Sequence, residues 1–210
     1  MRTALLALHG FTMNGAGLRR LMIGLENRLA EHVDLIFPNA PNVASESAVA
    51  GLEQRMGMPR GAPPHLEWWH ASDDGSAYQG WDTSLALLRE ALERHPGAGV
   101  LGFSQGAAVA AAVAALSCRG LLPPLGFAVL VAGFTPRAAE LAPLFAGAPL
   151  ELPSLHVWGT QDPIGKHGPA LAEKFSADLR EVLTWPGGHK LPGGEAGDAL
   201  VQFVRRQATV

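Results

Sequence analysis

A single cysteine, Cys118, excludes any intrachain disulfide and leaves a thiol-based metal site only one ligand to build on. Such sparing use of cysteine fits a reducing cytoplasm. Charge of one sign is missing as a block too: 16 Lys plus Arg stand against 19 Asp plus Glu, dispersed along the chain. That balance offers no electrostatic footprint, so neither nucleic acid nor a membrane surface is expected as a partner. Long hydrophobic runs are also absent. Ala4–Leu8, near the N-terminus, is too short for a secretion signal or a membrane span and reads as a first core strand. No internal repeat appears, and glycine and proline fall between apolar segments, as turns require, rather than in one tract.

What is present suits one domain over residues 1–210, long enough for a sizeable core. Ala4–Leu8, Val33–Phe37, Gly99–Phe103, Phe127–Ala132, Leu155–Gly159 and Leu179–Trp185 are short, mainly apolar runs that end in turn-forming residues. Continuous hydrophobicity is what a strand covered on both faces needs, so these six are predicted as buried parallel strands. Helical spacing lies between them, at Leu18–Ala30, Thr83–Arg94, Gln105–Leu116, Pro169–Ser176 and Glu195–Arg206. Alternation of the two predicts an α/β fold with a doubly wound, mainly parallel sheet and helices on both faces. The helix from Gln105 carries no charge before Arg119 and is therefore expected at the centre, against the sheet. Pro38–Pro64, with its Gly, Pro, Ser, Met56 and Met58, has no clear period. It reads either as a cap or pocket wall or as an ordinary surface loop.

Gly102-Phe103-Ser104-Gln105-Gly106 joins a predicted strand to the Ala-rich helix. In that strand–elbow–helix setting, small neighbours let a serine sit at the top of a sharp, strained turn, exposed to substrate at the positive end of a helix. Serine needs a base to take its proton, and the base needs a carboxylate to orient it. Asp162 follows the strand Leu155–Gly159, and His189 lies in the Gly-rich turn after the last strand, so Ser104, Asp162 and His189 run in the chain order of an α/β-hydrolase triad. Asp178 is placed at the opposite sheet edge, and Asp73, Asp74 and Asp82 precede the serine; solvated or capping roles account for them. His156, inside a strand, and His167, beside Asp162, are assigned to packing or local hydrogen bonds. Backbone N–H groups of Gln105 and of Phe11, in the exit turn His9-Gly10-Phe11-Thr12, are the expected oxyanion donors.

Leu8-His9-Gly10-Phe11 through Asn14-Gly15, Gly102-Phe103-Ser104-Gln105-Gly106-Ala107-Ala108 and Gly187-Gly188-His189 together resemble the family of fungal and human serine hydrolases. The Tyr78-x-Gly80 segment before the helix bearing Ser84-Leu85 resembles that family too. The phospholipase/carboxylesterase and acyl-protein thioesterase group shares Gly-Phe-Ser-Gln-Gly and is the near alternative. The resemblance spans the first strand to the last histidine. It implies a small, lid-poor esterase or thioesterase without a cofactor, acting on small-molecule acyl esters or thioesters, with Ser104, Asp162 and His189 matching the triad. The Gly/Pro/Met-rich excursion departs from the family pattern where the pocket would be shaped.

Other signals are set aside. Gly15-Ala-Gly17 has the start of a dinucleotide fingerprint, but Arg20 occupies the third glycine's place, so no nicotinamide cofactor is expected. His65, His70, Asp73 and Asp74 match no metal-ligand spacing, and no metal is expected. The five tryptophans are assigned to core or pocket packing, with Trp158 beneath Asp162, and Gln161, Lys166 and Lys190 to solvated positions flanking the triad turns. Two rival functions share these residues: an amidase or peptidase on the same triad, and a non-catalytic binding module that kept the fold.

Overall fold

In the computed structural model, residues 2–56 and 61–208 are described, so part of the Pro38–Pro64 excursion, including Met58, lies outside the described residues. Six strands form the central sheet: β1 (Thr3–Leu8), β2 (Val33–Ile36), β7 (Gly99–Phe103), β8 (Phe127–Val131), β9 (Ser154–Gly159) and β10 (Arg180–Trp185). Their order is β10-β9-β8-β7-β1-β2, and every pairing is parallel. The chain starts in β1, steps to the β2 edge, then returns past β1 and winds to the other edge. Helices cover both faces, so the doubly wound α/β architecture read from the alternation stands, with each strand within a residue or two of its predicted span. The expectation that all six strands are buried fails at the two edges of the sheet, where β2 with Asp34 and β10 with Arg180 and Glu181 have a neighbour on one side only and are partly exposed.

Each face has its own core. On one side, α1 (Gly15–Leu21), α2 (Ile23–Leu29) and α7 (Gly194–Ala208) bury Leu18, Met22, Leu25, Leu29, Leu200 and Phe203 against the sheet. On the other lie α4 (Trp81–Arg94), α5 (Gln105–Cys118) and the short α6 (Gly168–Ala172). Every residue of α5 from Gln105 to Leu116 is buried, which its lack of a polar stripe demanded.

Three expectations outside the sheet change as well. The helix Leu18–Ala30 is two helices that meet at Met22, whose φ of −87° and ψ of 0° leave the α region; Gly24 just beyond weakens helical continuity. The helix predicted over Pro169–Ser176 stops at Ala172, because Phe175 turns away to form a parallel bridge with Leu150. The excursion contains a helix, α3 (Glu46–Met56), started by the Ser45 hydroxyl, which accepts from Ala48 N–H at 3.1 Å. Short pairings flank it: β3 (Asn42–Val43) with β4 (Leu66–Glu67), and β5 (His70–Ala71) with β6 (Tyr78–Gln79).

His156 lies within β9 as predicted, buried against Phe175, with Nε2 3.2 Å from Ser154 Oγ and no partner for Nδ1 among the described residues. Burial, aided by the Arg180 charge, pushes its imidazole from 6.5 down to about 3, and burial pushes that of His9 from 6.5 down to about 4. The folded values lie below the unfolded one, so stability is full above pH 6.5 and declines as acid protonates the unfolded chain first. By pH 5 each histidine is expected to withdraw about 2 kcal/mol. His156→Leu should therefore lose about 2 kcal/mol less than the parent between pH 8 and pH 5, which denaturant titrations at the two pH values measure.

Candidate active site

The C-terminal ends of the parallel strands gather the three side chains singled out in the sequence, near the point where the strand order reverses between β1 and β7. Ser104 stands between β7 and α5 with φ 57° and ψ −118°, a strained conformation for a residue with a side chain. Its backbone N–H is held by Val131 O at 2.9 Å. The flanking glycines are required by close approach: a Cβ on Gly102 would strike the Gly106 carbonyl, and one on Gly106 would strike the carbonyls of Leu8 and His9 in the neighbouring strand. The elbow is thus pressed directly onto the exit turn of β1.

His189 Nε2 lies 3.0 Å from Ser104 Oγ, and His189 Nδ1 lies 2.9 Å from Asp162 Oδ2. Asp162 is buried, and its second oxygen, Oδ1, accepts from Ile164 N–H at 2.8 Å. The loops carrying the acid and the imidazole are tied together: Thr160 N–H donates to Trp185 O and Gln161 N–H to Gly187 O. Gly159 must be glycine, since a Cβ there would occupy the Gly187 carbonyl. Phe103 packs on the His189 ring at 5.0 Å between centroids.

The turn His9-Gly10-Phe11-Thr12 lies against the elbow: a Cβ on Gly10 would come within 3.2 Å of Met13 Sδ and 3.4 Å of the Ser104 Cβ. Among the described residues, neither Phe11 N–H nor Gln105 N–H has a hydrogen bond to a backbone acceptor.

A cleft of about 300 Å³ opens beside these groups. Its walls are mostly apolar: Phe11 and Met13 from the turn, Leu21 from α1, Val49 and Leu52 from α3, and Phe103 beneath the imidazole. The excursion, open between wall and loop on sequence alone, supplies one side of this cleft. Lys190 reaches the cleft and lies over the Trp185 ring at 5.4 Å, whereas Gln161 and Lys166 are not among its lining residues. Trp158 is half-buried and packs over Gly168, where a Cβ would meet the indole.

The competing residues sit elsewhere. Asp74 folds back on Ser72 and Ser76, which holds its carboxyl at about 2 through their hydrogen bonds. His70 lies 3.5 Å from Glu67, and among the described residues no three His, Cys, Asp or Glu side chains are placed to hold a metal ion. No helix among them is long and apolar enough to cross a membrane. What sequence reading misses is a buried group around the turn: His9, Trp68 and the side chain of Gln105, whose partners are backbone atoms far away in the chain. Only the high polarity of His9 and Gln105 beside apolar runs signals them.

The Serine hydrolase (FSH1) family matches residues 1–196. Esterase OVCA2 of Danio rerio is 31% identical over 224 residues, covering 96% of this chain and 96% of that protein. Esterase OVCA2 of Homo sapiens is 32% identical over 205 residues, covering 89% of this chain and 88% of that protein. The crystal structure of Zea mays acyl-protein thioesterase 2 has the same fold, with a TM-score of 0.72 at 22% identity, covering 99% of this chain and 94% of that one.

Proposed function

The chain belongs to the Serine hydrolase (FSH1) family, and on that premise we propose that it hydrolyses acyl esters or thioesters through a Ser104–His189–Asp162 triad and an acyl-enzyme. What supports this most is the unbroken relay of two contacts, 3.0 Å from Ser104 Oγ to His189 Nε2 and 2.9 Å from His189 Nδ1 to Asp162 Oδ2. Asp162 accepts from Nδ1–H and so fixes the tautomer whose Nε2 is the base. Ser104 Oγ adds to the carbonyl carbon as its proton passes to Nε2, and the carbonyl oxygen, now negative, takes hydrogen bonds from Phe11 N–H and Gln105 N–H. Collapse expels the alcohol or thiol, which leaves with the proton from Nε2. Water then repeats the sequence on the acyl-serine and releases the acid. No step needs a cofactor or a metal.

The apolar cleft is the seat of the acyl chain, with α3 as its outer wall. Each methylene buried there adds about 0.8 kcal/mol, or roughly fourfold in kcat/KM, until the cleft is full. Rates on p-nitrophenyl esters should therefore climb with chain length to an optimum and then fall. Leu52→Trp, which fills the cleft from α3, should move that optimum to shorter chains and leave the acetate ester within about twofold. An optimum unmoved by the substitution would place the acyl chain elsewhere.

A further inference from the structure

Phe11 N–H and Gln105 N–H come from loops that lie far apart in the chain, and both loops are tied to one short segment, Trp68-Trp69. Trp68, fully buried, donates its indole Nε1–H to His9 O at 2.9 Å, two residues before Phe11. The same residue donates its backbone N–H to Gln105 Oε1 at 3.0 Å, and Gln105 Nε2 in turn donates to Trp69 O at 2.9 Å. A tryptophan therefore holds the first loop with its side chain and the second with its backbone.

His9 completes the arrangement. Its ring, 5.2 Å from that of Trp68, accepts from Ala40 N–H on Nε2 at 3.0 Å, which leaves Nδ1–H to donate to Gly10 O at 2.9 Å. Burial keeps this ring neutral, and a neutral ring with one acceptor and one donor nitrogen is what the two contacts need. Gly10 O also accepts from Met13 N–H at 3.2 Å. The peptide that carries Phe11 N–H is thus clamped from its carbonyl side, while Trp68 itself is anchored by Asn42 Nδ2 and Ser84 Oγ on its carbonyl.

We propose that Trp68 and the side-chain amide of Gln105 are positioning residues for the oxyanion hole, bracing its two donor loops at one fixed separation without touching substrate. This presupposes Phe11 N–H and Gln105 N–H as the oxyanion donors. Neither Trp68 nor its indole lines the cleft, so loss of the brace acts on the developing oxyanion rather than on acyl binding. Donors left in place but free to drift stabilise charge less well than fixed ones, because reorganisation then accompanies the reaction.

The test compares a p-nitrophenyl ester with its thiono analogue, whose sulfur is a poorer hydrogen-bond acceptor; their rate ratio reports how firmly the donors grip. Trp68→Phe keeps a buried ring but removes the indole donor, Gln105→Met keeps the side-chain length but removes both amide contacts, and Trp81→Phe serves as a control. Trp81 is also buried and packs edge-on against Trp69, with ring centroids 5.6 Å apart, but among the described residues it makes no hydrogen bond to either loop. In samples shown to be folded by circular dichroism and a thermal midpoint above assay temperature, the first two should lower kcat about tenfold or more with KM within twofold, and shrink the ester-to-thionoester ratio; Trp81→Phe should leave the ratio unchanged. A ratio unaltered in both folded variants, even with a lower thermal midpoint, would overturn the proposal, as would collapse of both variants, which would make the brace a folding element. Turnover retained by Ser104→Ala, or a parent ratio near one, would instead refute the triad and oxyanion assignment beneath it, whatever the variants do.

Discussion

Ser104→Ala is expected to lose ester turnover by on the order of 10⁴–10⁶-fold while folding as the parent does. Alanine keeps the Cβ, so it asks nothing new of a backbone already at φ 57°. The flanking close approaches of Gly102 and Gly106 are untouched, and His189 keeps both its bond to Asp162 and its packing on Phe103. Only the nucleophilic oxygen goes. The two backbone donors and the cleft would remain and could still speed attack by water, which sets the small residual rate. The measurement is kcat on a p-nitrophenyl ester of the optimal chain length, with the thermal midpoint alongside. Turnover above about one per cent of the parent, in preparations free of contaminating esterase, would remove Ser104 from the mechanism.

Asp162→Asn should cost about 10³–10⁴-fold in kcat, with little change in KM. The size follows from the second carboxylate oxygen. Asp162 Oδ1 accepts from Ile164 N–H at 2.8 Å, so an asparagine in that place turns its carbonyl oxygen to Ile164 and its NH2 to His189. Facing a donor, His189 Nδ1 must accept, the ring proton moves to Nε2, and Nε2 points a hydrogen at Ser104 Oγ. The imidazole is then correctly placed and unable to act as a base. Asp162→Ala removes the conflict along with the carboxylate and should be less impaired than Asp162→Asn at high pH; the pH dependence of kcat for the pair separates tautomer control from loss of charge. Equal profiles for the two variants would show that the carboxylate acts by charge alone.

The four inner strands, β1, β7, β8 and β9, are legible because both of their faces are covered, so each is dominated by apolar residues and ends in a turn; the edge strands β2 and β10 carry Asp34, Arg180 and Glu181 and are partly exposed. The same logic places α5, whose sequence has no polar stripe to show to water. The break at Met22 is hidden, since Leu18, Met22, Leu25 and Leu29 keep one buried side straight through it. Helix α3 is hidden for another reason: Val49 is its one fully buried residue among those described, and Gly51 and the serines dilute its helical period. At the site, Ser104, Asp162 and His189 are each legible as polar residues following strands of the sheet, and geometry brings them into one hydrogen-bonded line. Trp68 and the Gln105 side chain are not legible there. Their bonds span 59 and 37 residues and end on backbone carbonyl and amide atoms, which no pattern of residue types records.

Labelling the folded chain with a fluorophosphonate probe, followed by peptide mass mapping, asks whether Ser104 is an activated nucleophile. One adduct is expected, on Ser104, formed by the parent, absent from Ser104→Ala and slowed in Asp162→Asn. A folded sample that takes no label, or takes it on another residue, would contradict that role.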